Sequence, residues 1–464
     1  MWCTAMAGDW MPQVTGLIEQ GEFTQAQQVI DKLPSKIKKK QAARIDSAQS
    51  IMSRINRDFS MTPEQGRKLI EERMPDVTDA QIENWKQTRK LEVMNIDGQE
   101  RWFRKSVRNL WLLADEMAED HQRDHEESYR SGRHKYLQAM RSGADENSVR
   151  NWHHANITFT LDVVADAVPA GETLRVWMPI PFENVRQRNV ELISSNLPAT
   201  LSDGSIHHTV YMEAVAQQGQ PTHFEYTFAY DLGERHIAQQ DMLLLLRPYR
   251  TDSEIYQRYT AAEAPHILVN DDMHALALDI VGDETNPVLQ ASMIYKWISR
   301  TFPWAGAREY STIPCIPQYV LDNGHGDCGQ VALLYISLVR SLGIPARWES
   351  GWQIPPDEIN YHDWVETYFE GVGWVYTDPS YGRGVVDTPM SDYFASGMDM
   401  YRMATNEGVC GEFSPAKTFI RSETVDCQAG EVEWRGGNLF YDKFSSSLKV
   451  NSLTPCNNSN DIIQ

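Results

Sequence analysis

The chain has 464 residues, of which 41% are hydrophobic, and a formal net charge of −21 at pH 7. This length exceeds what one ordinary hydrophobic core can organise, so several domains are expected. The strong negative charge argues against nucleic acid and against anionic membrane surfaces as main partners.

The N-terminal residues give an indication of where the protein is located in the cell. Residues 1–7 contain Ala5-Met6-Ala7, which resembles the small-residue end of a secretory signal peptide. We interpret residues 1–7 as a signal-peptide remnant and expect export to the periplasm or cell surface, with a cytoplasmic location as the alternative. No apolar run approaches the roughly 18 residues of a membrane-spanning helix. The six cysteines include no C-x-x-C pair, so zinc and dithiol-redox sites find little support. We predict no metal site and no cofactor.

Residues 8–150 are predicted to form a helical N-terminal region. Helix starts are indicated at Thr62-Pro63 and at Thr78, where a good N-cap residue precedes a helical pattern. Asp97-Gly98 lies between two strand-like runs, which predicts a β-hairpin. Two helices and a hairpin also suit a winged-helix DNA binder, but the acidic charge favours a structural module.

Residues 151–250 change to an apolar period of two, which predicts an immunoglobulin-like β-sandwich. The alternating segments are ITFTLDV, TLRVWMPIP, HHTVYMEAV and HFEYTFAYDL. Residues 255–401 include a return to helical patterning at NPVLQASMIYKWISRTF and are interpreted as the catalytic core. Residues 402–464 show short strand-like runs and turns, which predict a small β-rich tail.

The stretch GHGDCGQVALLYISLVRSLGIPAR places a cysteine, Cys328, just before an apolar helical pattern. From Val331, apolar residues recur at i, i+3, i+4, i+7, i+8 and i+11, the spacing of one helix face. Asp327 is a good N-cap and Gly343 a natural C-terminal cap, so a helix beginning at Cys328 is predicted. A helix N-terminus lowers the pKa of a thiol and can stabilise an oxyanion. We therefore expect Cys328 to be a nucleophile.

A nucleophilic cysteine needs a base and a group that orients the base. The segment INYHDWVETYFEGVGWVYTDPSYG predicts a strand, a turn and a second strand. Folding this hairpin brings Asp378, near the end of the second strand, roughly across from His362. A carboxylate there can hold the imidazole in one tautomer and support its positive charge.

These two segments, GDCGQVALLYISLVRSLGIPARWESGW and HDWVETYFEGVGWVYTDPSYG, resemble the core of the transglutaminase-like superfamily. That family reads Gly-x-Cys, a helix with Gly-Ile-Pro-Ala-Arg, then His-x-Trp-x-Glu, then Gly-Trp and Asp-Pro. The resemblance implies an α+β fold with a papain-like core and a Cys, His, Asp triad. By motif position, Cys328 is the nucleophile, His362 the general base and then acid, and Asp378 the orienting carboxylate.

The resemblance also raises the question of oxyanion support. Family members position an aromatic side chain upstream of the cysteine, and Trp304 fits that role, with Gln318 as a second candidate. The glutamine that papain-type enzymes carry a few residues before the cysteine is absent, because Asp322 and Asn323 stand there. The acidic calcium loops of animal members are not identifiable in this chain.

The activity that the resemblance implies is acyl transfer on a protein or peptide substrate through a thioester. Attack of water on the thioester gives a peptidase or amidase, and attack of an amine gives a protein-glutamine γ-glutamyltransferase. The motifs are common to both, and we favour hydrolysis for an exported chain of bacterial type. The alternative of another class is a catalytically silent scaffold that binds a partner. The oligomeric state is not predicted.

Overall fold

The computed structural model describes residues 10–114, 143, 148–202, 206–356, 358–383 and 389–456, with the backbone alone for residues 389–391. The signal-peptide remnant expected at residues 1–7 lies outside these residues. The chain divides into two compact units. One comprises Met1–His125 with Ala305–Pro314, and the other comprises Glu126–Trp304 with Cys315–Gln464.

The first unit is mainly helical, as predicted. Its described helices are α1 (Met11–Glu19), α2 (Phe23–Asp31), α3 (Ser35–Lys40), α4 (Ala42–Asp58), α5 (Pro63–Glu71), α6 (Asp79–Gln87) and α7 (Ser106–Leu113). Thr62 and Thr78 each form a capping box with the residue three positions later, which confirms both predicted helix starts. Strands β1 (Val93–Ile96) and β2 (Gln99–Trp102) pair in an antiparallel hairpin, which confirms the predicted turn at Asp97-Gly98.

The segment Ala305–Pro314 belongs to the helical unit although its neighbours in the chain belong to the other unit. The backbone N–H of Glu309 donates to Asp58 Oδ2 over 2.8 Å. Arg54, almost fully buried, forms an ion pair with the Glu309 carboxylate. The Asn109 side chain accepts from the backbone of Gly306 and donates to it over 2.9 and 3.0 Å. Side chains of α4 and α7 thus bind the segment Ala305–Pro314.

The second unit contains the sandwich and the predicted catalytic core. Its described helices are α8 (Gln239–Leu245), α9 (Glu254–Thr260), α10 (Asp271–Val281), α11 (Pro287–Thr301), α12 (Ile316–Asn323), α13 (Cys328–Ser341) and α14 (Pro389–Ser396). Its described strands are β3 (Arg150–Val163), β4 (Thr173–Pro179), β5 (Gln187–Ser195), β6 (Ala199–Leu201), β7 (Thr209–Val215), β8 (Thr222–His236), β9 (Ala346–Gln353), β10 (Asn360–Phe369), β11 (Gly373–Thr377), β12 (Gly397–Met398), β13 (Arg402–Glu407), β14 (Glu431–Trp434), β15 (Gly437–Leu439) and β16 (Phe444–Pro455). Among the residues described, no helix has the length and apolar character needed to cross a membrane.

Two five-stranded sheets form the sandwich. One has the order β12-β8-β3-β16 with β5 also on β8, and the other has the order β15-β14-β4-β7-β6. Alternate residues of the strands, such as Phe159, Phe228 and Met212, are fully buried in one core. The four segments with an apolar period of two therefore form the strands that the pattern predicts. With the helices above, the fold is α+β, which confirms the predicted class.

A four-stranded antiparallel sheet of order β11-β10-β9-β13 carries the hairpin that contains His362. Its outer strand β13 comes from the residues interpreted as a C-terminal tail, 402–464. Strand β14 pairs with β4 and β16 pairs with β3, so the same residues also complete both sheets of the sandwich. The C-terminal residues are thus integral to all three sheets of this unit.

Helix α13 begins at Cys328, as predicted. Asp327 Oδ1 accepts the backbone N–H of Gln330, and the Gln330 side chain accepts the backbone N–H of Asp327, which closes a capping box. The predicted apolar face is too narrow, because Leu333 and Ile336 outside that face are also fully buried. Helix α13 packs against strands β9 and β10 and also against α10, α11 and α12. It is therefore a central helix, and it holds Cys328 in a fixed position at its N-terminus.

Candidate active site

The side chains of His362 and Asp378 are in direct contact in the structure. Strand pairing sets Val365 opposite Thr377, so Asp378 lies just beyond the end of β11, near the start of β10. His362 Nε2 and Asp378 Oδ2 are 2.7 Å apart, and both side chains are buried. This is the contact expected from folding the hairpin.

The Asp378 carboxylate is fixed from several sides. It is fully buried, and Oδ1 accepts the backbone N–H of Tyr381 over 3.0 Å. Arg402 Nη2 lies 3.5 Å from Oδ2, and its guanidinium stacks 3.9 Å from the centre of the Tyr381 ring. The Tyr381 ring in turn lies 4.6 Å from the His362 ring. Tyr381 and Arg402 therefore orient the carboxylate that orients His362, and sequence reasoning assigned neither residue to the site.

The Cys328 thiol has a partner that the motif does not specify. Its Sγ donates a hydrogen bond to Asp363 Oδ2 over 3.2 Å. Asp363 directly follows His362 in the chain. Across the described part of the chain, no hydrogen bond joins Cys328 to His362. In the structure, His362 and Asp378 are therefore in direct contact, whereas the Cys328 thiol is bonded to Asp363, the residue after His362.

The lowered pKa expected for Cys328 from its helix position is wrong. Burial raises the pKa of the thiol well above its ordinary value, and the carboxyls of Asp363 and Asp327 raise it further. A helix N-terminus contributes about 0.3–1 kcal/mol in favour of an anion. Burial can move a pKa by several units, each worth about 1.4 kcal/mol, so it outweighs the helix. The surroundings of the sulfur therefore favour the thiol over the thiolate.

Asp363 belongs to a buried polar cluster built largely by the C-terminal residues. Gln428 Nε2 lies 2.7 Å from Asp363 Oδ1, and 3.0 Å from the backbone oxygens of Gly351 and His362. Asp426, two residues before Gln428, is also buried, and its charge acts on Asp363. Burial raises the pKa of Asp426 to about 6, and burial together with the Asp426 charge raises that of Asp363 well above its ordinary value.

The strand that carries His362 is anchored on further buried charges. The Trp364 indole donates to the Glu349 carboxylate, and Arg347 Nε donates to Glu366 Oε2 over 2.6 Å. Burial, and then the Glu366 charge, raise the pKa of Glu349 to about 8. The Trp and Glu of the His-x-Trp-x-Glu motif therefore bind β9, which fixes the strand on which His362 stands.

The two candidates for oxyanion support differ in their surroundings. Trp304 forms a parallel bridge with Gly326, two residues before Cys328, and its side chain is 45% exposed. The Gln318 side chain is exposed and donates to Asp322 Oδ1 over 2.8 Å, one turn further along α12. The structure thus brings the Trp304 backbone close to the nucleophile segment and leaves the Gln318 amide bonded within its own helix.

Comparisons with known proteins agree with the motif. The transglutaminase-like superfamily core matches residues 274–379, which include Cys328, His362 and Asp378. An uncharacterized protein of Haemophilus influenzae is 23% identical over 208 residues, which is 42% of this chain and 54% of that protein. The chain thus spans about half the length of this curated relative.

Two solved structures also match. A protein of Cytophaga hutchinsonii described as a candidate cysteine protease has 17% identity and a TM-score of 0.47, over 67% of this chain and 93% of that chain. The periplasmic domain of TgpA from Pseudomonas aeruginosa has 16% identity and a TM-score of 0.26, over 49% of this chain and 90% of that chain. The sequence match at residues 274–379 is the one that identifies the class: the chain contains a domain of the transglutaminase-like superfamily.

Proposed function

We propose that this protein is a cysteine-dependent acyl-transfer enzyme that hydrolyses peptide or carboxamide bonds, with Cys328, His362 and Asp378 as its catalytic residues. The observation that carries the proposal is the buried 2.7 Å contact between His362 Nε2 and Asp378 Oδ2. A carboxylate in this position selects the tautomer and supports the charge of a catalytic imidazole. Cys328, at the start of a buried helix in the same matched domain, supplies the nucleophile.

The His362–Asp378 contact determines which nitrogen of the imidazole exchanges a proton with the nucleophile. Because Nε2 is bonded to Asp378, Nδ1 is the nitrogen that exchanges a proton with Cys328. The thiol rests on Asp363 Oδ2, so its sulfur turns from Asp363 to His362 before the reaction. Catalytic hydrogen bonds commonly tighten only when substrate is bound.

The chemical steps follow from this geometry. The thiol proton moves to Nδ1 while the sulfur attacks the carbonyl carbon and the carbonyl oxygen becomes an oxyanion. Backbone N–H groups at the start of α13 and the region of Trp304 are the candidates for binding that oxyanion. The C–N bond then breaks, the leaving amine takes the proton from His362, and a thioester remains on Cys328. Water then attacks the thioester carbonyl and gives a proton to His362. The C–S bond breaks, the acid is released, and the proton on His362 returns to the Cys328 sulfur.

Transamidation is the second candidate, because an amine can replace water in the last step. The scaffold hypothesis finds less support, since a structural His needs neither a buried carboxylate partner nor the Tyr381 and Arg402 contacts around it. We further propose a protein or peptide substrate without nucleic acid, in keeping with the charge of −21. Export, proposed from Ala5-Met6-Ala7, is part of the same hypothesis.

The test is to incubate the purified protein with casein and a fluorescent primary amine. We expect new peptide amino termini to form faster than the amine is incorporated, and both signals to vanish in Cys328→Ala. Amine incorporation in excess of cleavage identifies a transglutaminase instead. If Cys328→Ala matches the wild type in both signals, the proposed nucleophile is wrong.

A further inference from the structure

The Cys328 thiol is hydrogen-bonded to a carboxyl group that has no part in the triad. Its Sγ donates to Asp363 Oδ2 over 3.2 Å. The Asp363 side chain is buried, with 5% of its surface exposed. The oxygen that accepts the thiol proton is therefore shielded from water and held in a defined place beside the sulfur.

Gln428 determines how the Asp363 carboxyl is oriented. Its Nε2 donates to Asp363 Oδ1 over 2.7 Å and to the backbone oxygens of Gly351 and His362 over 3.0 Å each. Backbone carbonyls only accept hydrogen bonds, so the Gln428 amide cannot turn its own oxygen towards them. Oδ1 is therefore bound as an acceptor, and Oδ2 is the oxygen that faces the sulfur.

An acceptor in this position keeps the proton on the sulfur. A hydrogen bond to the neutral form of an acid disfavours the ionised form. Asp363 also loses its proton before Cys328 does, because a carboxyl is a much stronger acid than a thiol and the surroundings raise the pKa of both groups. When the thiol is next to ionise, a carboxylate therefore already stands 3.2 Å away.

The charged groups around this contact come from three elements. They are Asp327 and Cys328 from α13, His362 from β10, and Asp426 and Arg421 from the segment between β13 and β14. Asp426 and Asp327 are acids that act on Asp363, and Asp327 acts on the sulfur as well, whereas the Arg421 charge acts on Asp426. The thiolate thus gains no support on this side, and the proton leaves the sulfur only towards His362.

We propose that Asp363, oriented by Gln428, restrains the nucleophile by keeping the Cys328 proton on the sulfur until the sulfur turns to His362. The S–H bond breaks at that point: the proton moves to His362 Nδ1, and the electron pair stays on the sulfur that attacks the carbonyl. Asp363 touches the reacting atom, and Gln428 is a positioning residue that acts through it. The proposal rests on the proposed role of Cys328 as nucleophile and adds that the resting site is held in an unreactive state.

The substitution Asp363→Asn reverses the hydrogen bond at the sulfur. The new amide has to direct its oxygen to Gln428 Nε2, so its NH₂ group faces Sγ and donates to it. A neutral donor stabilises the thiolate, which the carboxylate opposes. A charge at this distance moves the pKa of a neighbouring acid by about 1 to 3 units.

The experiment measures the rate at which iodoacetamide alkylates Cys328 as a function of pH, by peptide mapping. We expect the midpoint of Asp363→Asn to lie about 1 to 3 pH units below that of the wild type. Asp279→Asn, at an exposed position of α10, is the control for the loss of one carboxyl and should leave the midpoint unchanged. Adding Gln428→Ala to Asp363→Asn allows the amide to rotate, so the midpoint should return part of the way. Circular dichroism checks that each variant is folded.

A midpoint of Asp363→Asn at or above the wild-type value overturns the restraint, and a double variant that matches Asp363→Asn overturns the role of Gln428. If Asp363→Asn does not fold, the wild type decides through its Raman spectrum. Subtracting the spectrum of Cys328→Ala isolates the S–H stretch of Cys328, which should lie at lower frequency than in the unfolded protein because the thiol is bonded. A stretch at the unfolded frequency refutes the restraint.

Neither measurement needs a substrate, so the restraint and the enzyme are tested separately. A lowered midpoint in a protein without any turnover would support the restraint and refute the enzyme. Turnover with an unchanged midpoint would do the reverse.

Discussion

Replacing Asp378 by Asn changes one atom of the side chain and separates the role of its charge from that of its size. In the structure Asp378 Oδ2 lies 2.7 Å from His362 Nε2 and Oδ1 accepts the Tyr381 N–H. An Asn can keep its oxygen on Tyr381 and then presents its NH₂ group to Nε2. Nε2 must become an acceptor, so the proton moves to Nδ1, the nitrogen that should receive the thiol proton.

The expected loss of rate is large. The equivalent substitution in a serine protease lowers kcat about 10⁴-fold. Here we expect a loss of about 10² to 10⁴, which corresponds to about 2.7 to 5.4 kcal/mol of transition-state stabilisation. The fold should survive, because Arg402 retains a second carboxylate partner in Asp399 at 3.2 Å.

The assay measures the acylation of the protein by p-nitrophenyl acetate and needs no native substrate. The readout is the rate at which nitrophenol is released per folded molecule. Asp399→Asn is the matched control, since it removes the other buried carboxylate of Arg402 without touching His362. We expect Asp399→Asn to lower the free energy of unfolding while retaining most of the rate. Equal acylation rates for Asp378→Asn and the wild type would refute the tautomer argument.

Three further substitutions test the packing around the site. Gln428→Ala deprives buried oxygens of Gly351, His362 and Asp363 of a donor, and we expect a loss of about 1–3 kcal/mol in urea unfolding; an unchanged unfolding midpoint would show that water replaces the amide without cost. Burial raises the pKa of Glu349 from its ordinary value of about 4.5 to about 8. Its contribution to stability is therefore fully present below about pH 4.5 and is lost as the pH rises through about 8. Glu349→Gln should remove that loss, and a parallel decline of wild type and variant between pH 5 and 9 would contradict it. Leu338→Ala, in the fully buried centre of α13, should cost about 2–5 kcal/mol, and a loss below about 1 kcal/mol would mean that the helix is not central.

Local patterns predict much of the fold around the site. The helix from Cys328 follows from apolar spacing and from caps within about one turn of its ends. The observed helix ends at Ser341, two residues before the predicted cap Gly343. The hairpin from His362 to Asp378 follows from alternation and a glycine turn, and its antiparallel pairing brings the two side chains together. In both cases the determining interactions lie close together in the chain.

Contacts between distant residues are not encoded in such patterns. Gln428 reaches Asp363 from a segment without regular periodicity, more than 60 residues further along the chain. The pKa of Cys328 depends on this neighbourhood and on burial, so a rule based on the helix N-terminus alone gives the wrong direction. Asp363 itself is visible in the sequence within HDWVE, but its contact with the sulfur follows only from how α13 packs on β10.

The most direct measurement of the proposed chemistry is to trap the acyl-enzyme. The protein is mixed with p-nitrophenyl acetate, quenched in acid and digested, and acetylated cysteines are located by mass spectrometry before and after treatment with hydroxylamine. We expect a hydroxylamine-sensitive thioester on Cys328 alone among the six cysteines, and its loss in His362→Ala. An acetyl group distributed over several cysteines, or one that forms on Cys328 equally fast in His362→Ala, would contradict the assignment of a His-activated thiol nucleophile.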